Sequence, residues 1–170
     1  MRGSPAKVAF TLIELMVVLV IISLMAATVV ISSTGIWRQA SIESGIARLE
    51  SLDQHMRSYA RARGKPCQLQ FDVYKQQVSK LYDPDKRPDQ PAASLGRGLK
   101  LEEIFVGSVS ASRRKVSIGF DRAGMSPTYA LEFKTTNNQQ FWLLFAGVGG
   151  QLTRFSSEKE LDAALQLITP

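Results

Sequence analysis

Glu14 is the residue whose chemistry most constrains this sequence, because it is the only charged residue in the apolar run 10–31. As a helix, this run would be roughly 33 Å long, enough to cross the hydrocarbon core of a bilayer. A carboxylate inside such a helix costs roughly 2.5–3.5 kcal/mol on an insertion scale, so it needs a partner. The alternative is that Glu14, close to the start of the run, reaches the membrane surface. The run therefore predicts a membrane-spanning helix whose one charge another group must neutralise.

Outside this run, no set of residues has the types and spacing of a catalytic centre. His55 is the only histidine and Cys67 the only cysteine, which excludes multi-histidine metal sites, a paired-cysteine redox motif and an intrachain disulfide. Cys67 alternates with polar residues and is interpreted as a small core residue. The sequence contains no nucleotide-binding loop and no zinc-protease motif. We therefore expect a chain that is not an enzyme and holds neither a cofactor nor a metal.

Three acidic residues lie in the proline-rich and glycine-rich stretch 83–98, at Asp83, Asp85 and Asp89. Carboxylates in a loop suggest calcium, but their spacing does not match an EF-hand loop. A solvated, turn-rich loop is the preferred interpretation.

Basic residues form two groups in a chain whose formal net charge is +6. The first group lies near the predicted end of the N-terminal helix and the second in one loop; together they are Arg57, Arg61, Arg63, Lys65, Arg113, Arg114 and Lys115. A basic surface of this kind is what nucleic-acid binding requires. Basic residues on exposed segments more often only increase solubility, so nucleic-acid contact is the less favoured hypothesis.

A short basic leader precedes the apolar run. Residues 1–9 carry two positive charges and no acidic residue, which predicts that this end stays in the cytoplasm. The sequence Ala9-Phe10-Thr11-Leu12-Ile13-Glu14-Leu15 resembles the prepilin leader of type IV pilins and type II secretion pseudopilins. The resemblance implies cleavage between Ala9 and Phe10 by a prepilin peptidase, followed by N-methylation of Phe10. The family usually has glycine where this chain has Ala9, another small residue.

The resemblance also gives Glu14 a partner. Cleavage would create an amine at Phe10, and in a filament the Glu14 carboxylate of one subunit can meet the Phe10 amine of a neighbour. Two charges that are each costly in apolar surroundings would then form a pair and set the register between subunits.

The helix is expected to continue beyond the membrane-spanning half, over residues 32–64. Ile42, Ile46, Leu49, Met56 and Ala60 recur near helical spacing and form one apolar stripe. Gly64, followed by Lys65 and Pro66, predicts the end of the helix. The resulting plan has a leader at 1–9, a transmembrane helix half at 10–31, an amphipathic continuation at 32–64 and a globular β-rich head at 65–170.

Short alternating segments fill the head. They predict strands at 67–73, 76–82, 99–106, 116–120, 129–133, 141–145 and 152–155, joined by tight turns, and a short C-terminal helix that opens at Ser157. Tight turns between neighbouring strands favour antiparallel pairing. The predicted fold class is α+β, with a long N-terminal helix packed against an antiparallel β-sheet head as in pilins. The Phe120 to Gly124 turn is similar to that of the minor pseudopilin H, or FimT/FimU-like, branch.

The resemblance implies a minor pseudopilin of a type II secretion system, placed near the tip of a periplasmic pseudopilus that supports protein export. Its partners would be other pseudopilins or pilins, the prepilin peptidase, the inner-membrane assembly platform and membrane lipid. It would sit in the bacterial inner membrane as a single-pass protein, with its head in the periplasm. The first alternative is a minor pilin of a type IV pilus or competence system, with or without DNA binding, and the second is a single-span anchored domain without a filament role.

Overall fold

The structure is a computed structural model that describes residues 12–83, 91–96, 98–107, 109–111 and 114–168, with the side chains of residues 26–38 and 168 left aside. The chain divides into two compact units, Met1–Ala40 and Ser41–Pro170.

Helix α1 comprises Leu12–Arg63 and contributes to both units. It ends where Gly64 takes a φ of 60°, a left-handed conformation that glycine adopts without steric cost and that terminates helices. The predicted end of the helix is therefore confirmed. Among the described residues, no helix has the length and hydropathy that crossing a membrane requires. Phe10, Thr11 and the side chains of residues 26–31 of the predicted span lie outside the described part of the chain.

The second unit contains two antiparallel sheets. The strands are β1 (Cys67–Asp72), β2 (Gln77–Leu81), β3 (Ala93–Ser94), β4 (Leu99–Val106), β5 (Val109–Ser110), β6 (Lys115–Phe120), β7 (Tyr129–Thr135), β8 (Gln140–Phe145) and β9 (Leu152–Phe155). A four-stranded sheet has the order β3-β2-β1-β6, and a five-stranded sheet has the order β5-β4-β7-β8-β9. The expected antiparallel head is confirmed, and the strand order shows that it consists of two sheets.

The main core lies between both sheets and the part of α1 that belongs to the second unit. Ile46, Leu49, Met56 and Ala60 of α1 are buried there with the inward residues of both sheets. Gly45 allows the helix to approach closely, because a Cβ at this position would lie 2.6 Å from Leu99 Cδ1. The apolar stripe predicted for this half of the helix is therefore the one that packs on the sheets.

A second helix, α2 (Glu158–Ile168), covers the opposite face of the five-stranded sheet. Leu161 and Leu165 pack there against Trp142 and Leu144 of β8 and Ala130 of β7. This explains why β8 is apolar on both faces: its alternate residues enter two different cores. The helix predicted to open at Ser157 is confirmed.

Gln76 connects the two sheets through its side chain. Its Nε2 donates to the carbonyl of Leu101 at 2.9 Å, and its Oε1 accepts from the Leu101 amide at 2.6 Å. Gln76 itself has a φ of 55°, in the turn between β1 and β2. The Gln76 side-chain amide thus makes the two hydrogen bonds with the Leu101 backbone that a neighbouring strand would otherwise make.

Candidate functional site

The first unit presents an apolar surface. From residue 12 to residue 25, every side chain is exposed, and all are large and apolar except Glu14 and Ser23. The Ser23 hydroxyl donates to the carbonyl of Leu19 at 2.8 Å, so this polar group is satisfied within the helix. A contiguous apolar surface of this kind marks a site of contact with another protein or with a membrane.

Glu14 lies on this surface, in the first turn of α1 as described, and its side chain is exposed. Ala9 and Phe10, the residues of the predicted cleavage and methylation site, lie outside the described residues. The pairing of Glu14 with Phe10 of a neighbouring subunit stays a prediction.

The second unit contains a buried ion pair on the same helix. Asp53 and Arg57, one turn apart, have relative exposures of 0% and 3%. Arg57 Nε donates to Asp53 Oδ2 at 2.6 Å. The Tyr129 hydroxyl donates to the other oxygen, Asp53 Oδ1, at 2.9 Å. The guanidinium also lies over the Phe120 ring, 5.2 Å from its centroid.

Arg57 uses its remaining N–H groups to hold two loops. Nη1 donates to the carbonyls of Gly147 at 2.6 Å and Gly124 at 3.2 Å. Nη2 donates to the Ser126 hydroxyl at 2.8 Å and to the Ala146 carbonyl at 3.2 Å. The guanidinium therefore joins the loop between β6 and β7 to the loop between β8 and β9. We call Asp53, Arg57, Tyr129 and these four acceptors the Arg57 network.

Electrostatics within the network follow from burial. Desolvation of the Tyr129 side chain is the largest cause that raises its pKa well above the usual range, and the charge of Asp53 and the hydrogen bond to it act in the same direction. The charge of Arg57 opposes this rise. Tyr129 therefore remains a neutral hydrogen-bond donor, and the two buried charges neutralise each other.

The burial of Arg57 corrects one expectation. Its side chain was expected to contribute to a nucleic-acid surface, but all of its donors face protein acceptors inside the fold. The helical spacing of Asp53 and Arg57 in the sequence indicates their burial, and this signal was missed. Asp53 follows Leu49 by four residues and Arg57 follows Asp53 by four, so both charges fall on the buried stripe of the helix.

The other basic residues lie on the surface, at two ends of β1. Arg61, Arg63 and Lys65 are exposed around the end of α1, just before β1 begins at Cys67. Lys115 is exposed and pairs with Asp72 at the far end of β1. Strand geometry places these ends about 17 Å apart.

Arg114 lies beside Lys115 and stacks over the Tyr74 ring, with Cζ 4.9 Å from its centroid. Arg113 lies outside the described residues. The structure therefore does not merge the two predicted basic groups into one surface.

Cys67 and His55, two of the remaining candidate residues, make contacts typical of structural residues. The Cys67 thiol is fully buried, donates to the Met56 carbonyl at 3.3 Å, and has its pKa raised to about 11 by burial. The interpretation of Cys67 as a core residue is confirmed. His55 Nε2 lies 3.2 Å from the Tyr82 hydroxyl. Among the described residues, no three acidic, histidine or cysteine side chains are grouped as metal ligands, and Asp85 and Asp89 lie outside that part of the chain.

Comparison with known proteins agrees with the fold. No protein-family model matches the sequence, and no curated protein matches it either. Among solved structures, the minor pseudopilin EpsH from the Type 2 Secretion System of Vibrio cholerae matches with a TM-score of 0.51. The match covers 68% of this chain and 97% of that one, at 14% sequence identity. The chain has a pseudopilin-like fold. At this identity the similarity concerns the fold alone, and it agrees with the α+β class predicted from the sequence.

Proposed function

We propose that this chain is a minor pseudopilin that assembles into the pseudopilus of a type II secretion system, near its tip, and supports protein export. The observation that carries the proposal is the apolar surface over residues 12–25. A chain with a pseudopilin-like fold does not need this surface for its own core, because the described core residues all lie in the second unit. Packing against the equivalent helices of other subunits would bury it.

Glu14 would give this packing its register. In the proposed filament, its carboxylate pairs with the methylated amine of Phe10 on a neighbouring subunit, after the prepilin peptidase cleaves between Ala9 and Phe10. Before assembly, the helix would hold the chain in the lipid of the inner membrane with the head in the periplasm. The assembly platform would then move the subunit into the filament. The sequence motif of the first 15 residues supports these steps, together with the exposure of the apolar segment.

The processing step is tested by mass spectrometry of the chain purified from cells with an active prepilin peptidase. We expect a chain that starts at N-methylated Phe10. An intact Met1 under these conditions contradicts the proposal. A chain cleaved at a different bond contradicts the assignment of Ala9 and Phe10.

The register is tested with Glu14→Gln, which removes the charge and keeps the side-chain shape. We expect normal insertion into the membrane and loss of incorporation into filaments. Ser23→Ala is the matched control, because Ser23 lies in the same exposed segment and bonds only within its own helix. Incorporation of Glu14→Gln at the level of the unchanged chain contradicts the role given to Glu14. Absence of both chains from filaments is what a single-span anchored domain predicts.

The type IV pilus alternative shares the fold and the processing step, and the content of the neighbouring genes separates it from a secretion role. Its DNA-binding form has less support, because Arg57 is buried and the two basic groups lie at different ends of β1. Steeply salt-dependent binding of duplex DNA by the chain, lost on replacing Arg114 and Lys115, is the result that favours it. A role without catalysis is part of the proposal, and it follows from the absence of catalytic motifs in the sequence.

A further inference from the structure

Strand β6 forms one edge of the four-stranded sheet, whose order is β3-β2-β1-β6. It pairs with β1 over all six of its residues, Lys115–Phe120, without a register shift. Of the edge strands in the described part of the chain it is the longest, because β9 has four residues and β3 and β5 have two each. A regular edge of this length, without proline or bulge, is a template for pairing with another chain.

Alternate residues of β6 turn their backbone groups away from β1. The Val73 amide donates to the Arg114 carbonyl at 3.1 Å, and this bond makes the even-numbered residues of β6 the ones that bond to β1. The N–H and C=O groups of Lys115, Ser117 and Gly119 therefore point outward. Within the described part of the chain, no hydrogen bond reaches these outward groups.

The surroundings of this edge leave room for another strand. Lys115 and Ser117 are exposed, and a Cβ at Gly119 would meet no heavy atom of the described structure within 4 Å, its chain neighbours aside. Glycine within a strand often marks a place where another backbone approaches closely. Beside Gly119 lies an open groove of about 420 Å³, which Pro66 and Met125 also line. A segment added along β6 would have a place there for an apolar side chain.

Cations flank the edge at both of its ends. Arg114 and Lys115 are exposed at the start of β6, and Lys65 and Arg122 are exposed beside its last residue. The two basic groups that did not merge into one surface thus lie at the two ends of one open strand. Strand geometry places these ends about 17 Å apart.

The nearby carboxylates are engaged in their own turns. Asp72, opposite Lys115 on β1, is buried, and its Oδ1 accepts from the Lys75 amide at 2.8 Å. Asp121 Oδ1 accepts from two amides of its own turn at 2.9 and 2.8 Å. The ion pairs found among the described residues join other cations. The field along β6 is therefore positive and favours an acidic partner.

A second copy of this chain fits the edge poorly. Antiparallel pairing of two β6 edges would bring the Lys115 end of one copy beside the Arg122 end of the other. Parallel pairing would align like ends. Both arrangements place cations beside cations, and like charges across such a contact are destabilising. The charge pattern therefore points to a different protein.

We propose that β6 accepts an extended, acidic segment of a different protein as an added strand of the four-stranded sheet. Hydrogen bonds to the backbones of Lys115, Ser117 and Gly119 would provide affinity, and the cationic ends would select acidic residues about five positions apart. The groove beside Gly119 would take an apolar side chain. The inference rests on the proposed function in one respect, because it assigns the segment to another component of the secretion assembly.

The test is hydrogen exchange of single amides, measured by nuclear magnetic resonance on the full chain in micelles of a non-ionic detergent. The probe is a synthetic peptide of alternating valine and threonine with two acidic residues about five positions apart. We expect it to slow exchange of the Ser117 and Gly119 amides roughly tenfold, because they gain hydrogen bonds. The Ile118 amide already bonds to β1 and should keep its rate.

Ser117→Pro removes one outward donor and leaves the bonds to β1 in place, and proline is tolerated on edge strands in this position. It should weaken peptide binding at least about fivefold. Ser117→Ala is the matched control, because it keeps the N–H and should bind the peptide as the unchanged chain does. Slow exchange of the Leu69 amide, opposite Ile118, checks that the sheet of each variant is intact.

The charge requirement is tested with Lys115→Glu/Arg122→Glu, which should weaken peptide binding roughly tenfold. Arg48→Glu/Lys159→Glu is the control, because it reverses two exposed cations away from β6 and should leave binding unchanged. Equal binding by these two double variants overturns the proposal.

The exchange pattern gives the other decisive outcomes. The proposal is overturned if the peptide slows no amide, if it slows the Ile118 amide as much as its neighbours, or if Ser117→Pro binds as tightly as Ser117→Ala. Protection that rises with the concentration of the chain alone assigns the edge to a second copy, and protection by duplex DNA in place of the peptide assigns it to nucleic acid. Both results overturn the proposal as well.

Failure of this contact can be told apart from failure of the proposed function. If the contact is absent and the function correct, the chain still begins at methylated Phe10 and still enters filaments in a Glu14-dependent manner.

Discussion

The two parts of helix α1 differ in which side chains they expose and which they bury. In the first unit, residues 12–25 expose large apolar side chains to the surroundings. In the second unit, the same helix buries Asp53 and Arg57 among apolar neighbours. Each arrangement is costly for an isolated unit, since exposed apolar surface and buried charge are both normally avoided.

The difference lies in where each part finds its partners. The buried charges are satisfied inside the second unit, by Tyr129 and by the acceptors of two loops. The exposed apolar residues are part of no described core, so their partners must come from outside that core. One part of the helix therefore contributes to the stability of the head, and the other exposes the apolar surface to which the proposed function assigns assembly.

Substitution of Arg57 should produce the largest effect. Arg57→Met leaves the Asp53 charge buried without its partner and removes the donors of four loop acceptors, so we expect a loss of about 3–5 kcal/mol in the free energy of unfolding. Urea titration followed by tryptophan fluorescence measures this loss. Ile21→Ala in the exposed segment should change the same quantity by less than about 0.5 kcal/mol. Similar losses in the two variants would remove the contrast between the two parts of the helix.

Asp53→Asn provides a sharper form of this test. If the two residues act as a pair, the double variant Asp53→Asn/Arg57→Met should lose less stability than the sum of the single variants, with a coupling of about 1–3 kcal/mol. Additive losses would show that Arg57 acts through the loops alone.

Substitution of Gly150 should have the next largest effect. A Cβ at this position would lie 2.5 Å from Arg57 Nε and 2.8 Å from Asp53 Oδ2, at a φ of 66°. We expect Gly150→Ala to cost about 2–4 kcal/mol, from backbone strain and displacement of the ion pair. Gly107→Ala is the matched control, because Gly107 has a φ of 62° and open space around its Cβ position. Its cost of about 1–2 kcal/mol isolates the backbone contribution.

Removal of the Gln76 side chain should have a smaller effect. Gln76→Ala leaves the Leu101 amide and carbonyl without their partner, which should cost about 1–3 kcal/mol. Gln140→Ala is the control: Gln140 is an exposed glutamine whose Nε2 donates to Glu132 at 3.3 Å, and its replacement should change stability by less than about 0.5 kcal/mol. Thermal unfolding of both variants makes the comparison. Equal melting temperatures would mean that the link between the sheets contributes nothing.

The Cys67 thiol should produce the smallest effect, visible only at high pH. Its pKa of about 11 in the folded chain exceeds the ordinary 9.0, so the unfolded chain releases the proton first. Stability from this group is complete below pH 9 and is lost as the pH rises from 9 towards 11. The free energy of unfolding should therefore fall less steeply over this interval in Cys67→Ala than in the unchanged chain. Identical slopes would contradict burial of a neutral thiol.

Local pattern in the sequence predicted most of the elements. Alternating residues identified β1, β6, β7 and β8, and the glycine at position 64 identified the end of α1. These predictions succeed because one buried face imposes a period of two on a strand and a left-handed glycine ends a helix. The two-residue strands β3 and β5 were missed, since a segment of that length has no period.

Local sequence pattern could not predict which distant strands pair, or that two charged residues are buried. That β6 pairs with β1, and that the head consists of two sheets, depends on contacts between distant segments. Asp53 and Arg57 have the composition of a solvated face, and only their position on the Leu49 stripe indicates burial. Arg57 also donates to backbone carbonyls of two loops. The positions of these carbonyls depend on the path of the backbone, which residue types do not predict.

The sequence separations within the Arg57 network also order events as the chain folds. The Asp53–Arg57 pair is one turn apart and can form as soon as the helix does. Its acceptors at Gly124, Ala146 and Gly147 lie 67, 89 and 90 residues away and are available only after the five-stranded sheet has closed. The guanidinium therefore completes its bonds late, so Arg57→Met should speed unfolding and leave the folding rate nearly unchanged. Until that point the guanidinium has its Asp53 partner but not its loop acceptors, and this distinguishes a fully folded head from one that has only collapsed.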